Sequence, residues 1–207
     1  ASDHSKSGKA VIDWLSTVRL NFQTMKLGFI DAHCHLADPR FDAVRAQVLQ
    51  RAREKQIHHF IQGGVSPEDW NRQITMKAEF PDAYFLAFGL HPWWVDHCSK
   101  GSKGSKGSKD ELIQALGSLP EYLEQAVGVG ELGLDYGPRV SPESYENQVW
   151  VFKEQLKIAK KLNKPLILHI VRAHEPALQI LRDHGGAYLG GIVHSFTGPR
   201  SGCRCLY

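Results

Sequence analysis

The sequence has no apolar run approaching the roughly 18 residues of a membrane span, and its first residues lack the apolar centre of a cleavable signal. A membrane partner is therefore not expected. Cysteine is sparse: Cys34, Cys98, Cys203 and Cys205 show no secreted-type disulfide framework. That usage points to a reducing, cytoplasmic setting. No strong excess of charge exists either. The formal net charge is +3, and four lysines (Lys100, Lys103, Lys106, Lys109) crowd into one tract, so the rest is near neutral. Any grip on nucleic acid must then be local rather than global. Finally, no Gly-x-Gly-x-x-Gly turn opens the first strand–helix unit, which argues against a dinucleotide-binding sheet.

What is present is enough for a real core: 207 residues, 42% of them hydrophobic, suit one sizeable α/β domain. Residues 1–24 read as an N-terminal extension or tag ahead of Met25, with Val11, Leu15, Val18 and Phe22 at the spacing of a short amphipathic helix. From Gly28 a strand–helix alternation sets in. Strands are expected at 28–33, 58–63, 83–90, 126–132, 166–170 and 187–194. Helices are expected at about 42–55, 67–79, 110–123, from Pro142 onward, and 175–183. The Gly/Ser/Lys tract 99–109 cannot bury apolar surface and reads as a solvated loop. Parallel strands with crossover helices follow, and six units of this kind predict a TIM-type (β/α) barrel that is incomplete. Two further units would close eight strands. The missing wall is expected to come from another chain, by oligomerisation through the open barrel edge, or the sequence is a fragment or shortened form. Residues 199–207 read as a tail outside the barrel.

In such a barrel the carboxyl ends of the strands converge on one face. In order, those ends carry His33 and His35, His91, Glu131, His169 and His194. Imidazoles and a carboxylate without a thiolate cluster suit one or two divalent ions of the Zn, Mn or Ni kind, with Mg at an oxygen-rich half. His33 and His35 share a strand face, which leaves Cys34 pointing away as a small core residue. A single carboxylate flanked by histidines on both sides suits bridging. Arg172, just beyond His169, is placed either to clamp a substrate phosphate or to pair with Glu175 at a helix start. His91 either touches substrate or shapes the turn before Pro92. Trp93 and Trp94 either stack a nucleobase or, for at least one of them, pack under a helix. Asp135 either orients its loop or reaches substrate.

Six ordered motifs carry a family resemblance. Phe29-Ile-Asp-Ala-His-Cys-His-Leu36, Gly89-Leu-His-Pro92, Gly128-Val-Gly-Glu-Leu-Gly-Leu-Asp-Tyr136, the Gln148…Phe152…Gln155-Leu…Ala159 helix, Ile167-Leu-His169-x-x-Arg172 and His194-Ser-Phe-Thr-Gly198 together resemble the TatD-like metal-dependent deoxyribonucleases, a branch of the amidohydrolase-type barrels. The resemblance implies that His33 and His35 hold one ion, His169 and His194 the second, and that Glu131 bridges them. It implies DNA as substrate, as single strands or ends. The family's last ligand, an aspartate in a Glu-Thr-Asp-x-Pro-like motif, has no counterpart in this sequence. The chain as given is accordingly expected to hold at most one ion well, on Glu131, His169 and His194, and to hydrolyse poorly or not at all. Two other readings stand beside this one: hydrolysis of a small amide, lactone or cyclic imine at the same residues, and an inactive fragment kept as a binding module.

Overall fold

The computed structural model describes residues 28–100 and 109–198. The expected helix before Met25, the middle of the lysine tract and the tail after Gly198 lie outside the described residues. Six strands make one all-parallel sheet in chain order: β1 (Phe29–Cys34), β2 (Ile57–Gly63), β3 (Tyr84–Phe88), β4 (Gly128–Asp135), β5 (Leu166–Val171) and β6 (Gly191–Val193). Between them run α1 (Arg45–Glu54), α2 (Pro67–Glu79), α3 (Pro92–Lys100), α4 (Lys109–Leu123), α5 (Tyr145–Leu162) and α6 (His174–Asp183).

Laid flat at the usual strand spacing, β1 and β6 would stand about 24 Å apart. Instead the rings of His33 on β1 and His194, just past β6, stack with centroids 4.2 Å apart. The sheet therefore curls into part of a barrel wall, as the alternation predicted. Its concave side packs Ile61, Ala87 and Ile167, with Ile30, Phe85, Val127 and Ile192 around them. The convex side is covered by helices. Phe88, Leu132, Leu134, Leu168 and Ile170 meet Phe152 and Leu156 of α5 and Leu112 and Leu119 of α4. A smaller cluster under α1 and α2 takes Leu36, Leu49, Phe60 and Met76, with Cys34 packed against it.

Local chemistry explains the element ends. Ser66 caps α2 by accepting from the Asp69 amide, and Pro67 fills the first helical position, where no amide partner is needed. Asn163 ends α5 in the left-handed conformation. Several boundaries differ from the sequence expectation. Val44 precedes α1 and is exposed, leaving Leu49 as that helix's buried residue. Ser99 and Lys100 close α3 and Lys109 opens α4, so both ends of the lysine tract are helical. The strand expected over 187–194 shrinks to three residues. Gly185, Gly190 and Gly191 hold positive φ there, and a short 3-10 turn takes Gly186–Tyr188. The Gly128-Val-Gly-Glu-Leu-Gly133 stretch has dinucleotide-fingerprint spacing, yet it lies wholly inside β4 and forms no phosphate-cradling turn.

Candidate metal centre

The curl sets every strand-end residue picked from the sequence around one carboxylate. Glu131 is 1% exposed on β4. Its Oε1 faces His169 Nδ1 at 2.9 Å and His91 Nε2 at 3.6 Å, and it also meets His194 Nε2. Its Oε2 faces His35 Nε2 at 3.2 Å and His33 Nε2 at 3.4 Å. Two sets of imidazoles thus address the two oxygens of one group.

Each side chain is placed by its own element. His33 and His35 sit at the end of β1, where their Nε2 atoms come within 3.1 Å of each other. Cys34 turns the other way, with its Sγ 2.8 Å from Gln62 Nε2 and near the Ile61 carbonyl. Burial pushes its thiol pKa up to about 12. His91 is held by α5: the Gln155 side chain accepts from the Leu90 amide at 2.7 Å and donates to the Leu90 carbonyl at 3.2 Å. A second α5 glutamine, Gln148, accepts from the Asp135 amide at 2.9 Å. Both glutamines are fully buried and reach out to strand ends, and Gln148 also donates to Ser144 Oγ at the start of its own helix.

Asp135 resolves to an orienting role. Its Oδ2 lies 3.1 Å from His169 Nε2 and accepts from Trp93 Nε1 at 2.7 Å, while Oδ1 accepts from the Gly137 amide. A carboxylate on one ring nitrogen directs the other nitrogen's lone pair, here Nδ1, at the centre. The two tryptophans part company. Trp94 packs against the large core cluster, whereas Trp93 stays 44% exposed at the rim. Arg172 is exposed, adopts a positive φ of 53°, and forms no pair with Glu175 or any other acid among the described residues.

The electrostatics follow from this geometry. Burial opposes the charge of Glu131, but the imidazoles of His169, His194, His33 and His35 gathered around it outweigh that cost and hold the carboxyl far below the usual carboxylate range. Burial likewise opposes protonation of His169, yet Asp135 and Glu131 raise its pKa to about 9. For His35 the Glu131 carboxylate outweighs burial in the same direction. For His91 burial wins, and its pKa falls. Two buried polar atoms in the cluster, Glu131 Oε2 and His33 Nδ1, lack a hydrogen-bond partner. Donor atoms of His33, Glu131 and His194 lie within 4.8 Å of one another, as do those of His91, Glu131 and His169. An orphaned carboxylate oxygen ringed by imidazole nitrogens suits a divalent cation.

Against known proteins, the family described as TatD related DNase matches residues 30–207. The chain belongs to that family. An uncharacterized metal-dependent hydrolase, YjjV of Escherichia coli (strain K12), is 34% identical over 82% of this chain and 61% of its own length. A 3'-5' ssDNA/RNA exonuclease TatD from Rahnella sp. (strain Y9602) is 31% identical over 80% of this chain and 58% of its own. The crystal structure of the Escherichia coli protein matches with a TM-score of 0.72 at 30% identity, covering 86% of this chain and 64% of that one. The chain thus spans about three-fifths of the length of the curated relatives it matches.

Within this TatD-family centre, Glu131 Oε2 faces His33 and His35, and Oε1 faces His169 and His194, the two pairs that the resemblance names. The curl also stacks the His194 ring on His33 and sets the His91 and His169 rings 4.2 Å apart. His194 still reaches His169, Nε2 to Nδ1, at 3.1 Å. Gly63 is a functional position the sequence reading missed. A Cβ there would fall 2.4 Å from His33 Cε1, so only glycine lets that ring stand where it does. The two glutamines of α5 did carry a signal, because polar residues seven apart on an apolar helix face call for a buried partner.

Among the described residues no helix is long and apolar enough to cross a membrane.

Proposed function

We propose that the chain is a metal-dependent phosphodiesterase that cleaves DNA, acting on single strands or ends. The observation that carries this reading is Glu131, fully buried, with each carboxylate oxygen turned to a different set of imidazoles. Glu131, His33, His35, His169 and His194 would hold the cation, with His91 beside them as a hydrogen-bond donor to substrate. The ion, when bound, supplies Lewis-acid polarisation of a phosphoryl oxygen and an acidified water. A Zn, Mn, Ni or Mg ion is consistent with the nitrogen-rich, single-carboxylate donor set. Glu131 is the one carboxylate among the described residues that reaches both donor groups. Two dications would leave more positive charge than it offsets, so one tightly held ion is the expected state.

The chain's other residues supply binding and orientation. Asp135 fixes the ring of His169. His91 is kept neutral by burial and accepts from the Trp93 amide on Nδ1 at 3.0 Å, so its Nε2–H, which faces Glu131 Oε1 at 3.6 Å, is the donor it offers to an anionic oxygen beside Glu131. Arg172, exposed and without an acidic partner among the described residues, is suited to a phosphate at the rim. The His35 side chain is 43% exposed, so the centre opens onto the surface as a polymer substrate requires, rather than closing over a small molecule. The Rahnella relative is named for single-stranded DNA and RNA, which agrees with this class of substrate. The free thiols Cys34 and Cys98 suit a reducing compartment such as the cytoplasm.

The test is incubation of the chain with end-labelled single-stranded DNA under Mg, Mn and Zn in turn, beside a Glu131→Gln control. Shortening of the label by the native chain alone is the expected result. Cleavage that survives in the control, or none under any ion, removes the reading.

A further inference from the structure

Trp93 is unusual among the large side chains, since it is well exposed and yet rigidly held. Its Nε1–H is fixed by Asp135 at 2.7 Å, and its ring lies 5.0 Å from that of His91 and 6.0 Å from that of His169. An aromatic pinned this close to a candidate metal centre, with 44% of its surface open, offers a flat apolar face at little cost in conformational freedom. The Arg139 guanidinium stands 5.2 Å from the centre of the same ring. Arg139 belongs to the turn after β4, is exposed, and makes no ion pair among the described residues, unlike Arg40 and Arg45. Stacking on an indole leaves the edge donors of a guanidinium unspent and its charge uncancelled.

A flat ring and an uncancelled guanidinium at one rim match the two recognisable parts of a nucleotide. We propose that Trp93 and Arg139 form a subsite for one nucleotide of a single strand next to the cleaved phosphate, with the base on the indole and the phosphate on the guanidinium. The proposal rests on the nucleic-acid reading of the centre and adds to it the residues that set where the strand lies. Base stacking on an aromatic tolerates any base, so the subsite positions the strand without reading its sequence. The hydrogen bond to Asp135 also ties the platform to His169, so that a stacked base lies in fixed register with the centre.

The test measures binding separately from cleavage. Fluorescence anisotropy in EDTA, where cation-dependent cleavage cannot proceed, compares a labelled sixteen-residue oligothymidylate with an abasic strand of equal length across a range of salt. The native chain is expected to prefer the base-bearing strand by about tenfold. Trp93→Ala should lose that preference, and Trp93→Phe, which keeps an aromatic face, should retain part of it. Arg139→Ala should weaken both strands about equally and flatten the log–log salt dependence by about 0.7. Arg182→Ala, an exposed position in the last turn of α6 and no part of the subsite, should change nothing. Equal binding of the two strands by the native chain overturns the proposal, as does a salt slope unaltered in Arg139→Ala. Binding with the expected pattern but no cleavage under any cation removes the hydrolase reading and keeps the subsite. Cleavage that ignores both substitutions does the reverse.

Discussion

Asp135 Oδ2 lies 3.1 Å from His169 Nε2, and the same ring presents Nδ1 to Glu131 Oε1 at 2.9 Å. One imidazole is therefore held between two carboxylates of the same strand, four residues apart. The outer carboxylate is already satisfied by Trp93 and Gly137, so it orients the ring, while the inner one faces the cluster.

Asp135→Asn keeps the size and the acceptor for Gly137 but removes the charge on His169. Affinity for Zn or Mn should fall about 10- to 100-fold with the fold intact. Titration calorimetry, with circular dichroism alongside, measures both. Unchanged affinity would mean that His169 needs no orienting partner.

Gly63→Ala places a methyl 2.4 Å from His33 Cε1 on a strand whose backbone accepts alanine. The ring must swing away from Glu131. Hydrolysis should drop about 100-fold for a displacement near 1 Å, with little change in melting temperature. Gly133→Ala is different: φ is +146° and the new Cβ would lie 2.0 Å from the His169 carbonyl oxygen, so folding itself should suffer. Equal melting temperatures for the two variants would contradict this contrast.

Gln155→Leu removes the partner of both the Leu90 amide and its carbonyl inside the core. The unpaired groups should cost about 1–3 kcal/mol of stability. Urea unfolding of the native and variant chains measures it, and a stability equal to or above the native would show that water or another group replaces the side chain.

The strand–helix alternation and the strand-end histidines were legible because they are local: apolar runs of fixed length, and His-x-His on one strand face. α3 was not. No helix was expected between His91 and the lysine tract, yet Pro92–Lys100 forms one, with Val95 and Cys98 buried under the core. His91 was placed on the strand-end face by the same reasoning, but its approach to Glu131 depends on the curl of the sheet and on Gln155 holding Leu90, contacts between distant segments. Gly63 gave no sign, since its small size matters only to a ring on the neighbouring strand. The shortening of β6 could have been anticipated, as Gly185, Gly190 and Gly191 crowd that stretch.

Burial holds the thiols of Cys34 and Cys98 up at about 12, with Glu111 adding to the effect at Cys98. The thiolate is the reactive form, so alkylation of both should be slow at pH 8 and quicken as pH rises toward 12. Peptide mapping after iodoacetamide, with and without denaturant, should show both labelled only when the chain is unfolded. Prompt labelling of Cys34 in the native chain would contradict its placement against the core.

The most direct measurement is a calorimetric titration of Zn or Mn into the native chain and into Glu131→Gln. One tightly bound ion is expected in the native chain, with affinity at least about 100-fold lower in the variant, because among the described residues no other carboxylate reaches both sets of imidazoles. Equal affinity in the two chains would contradict it.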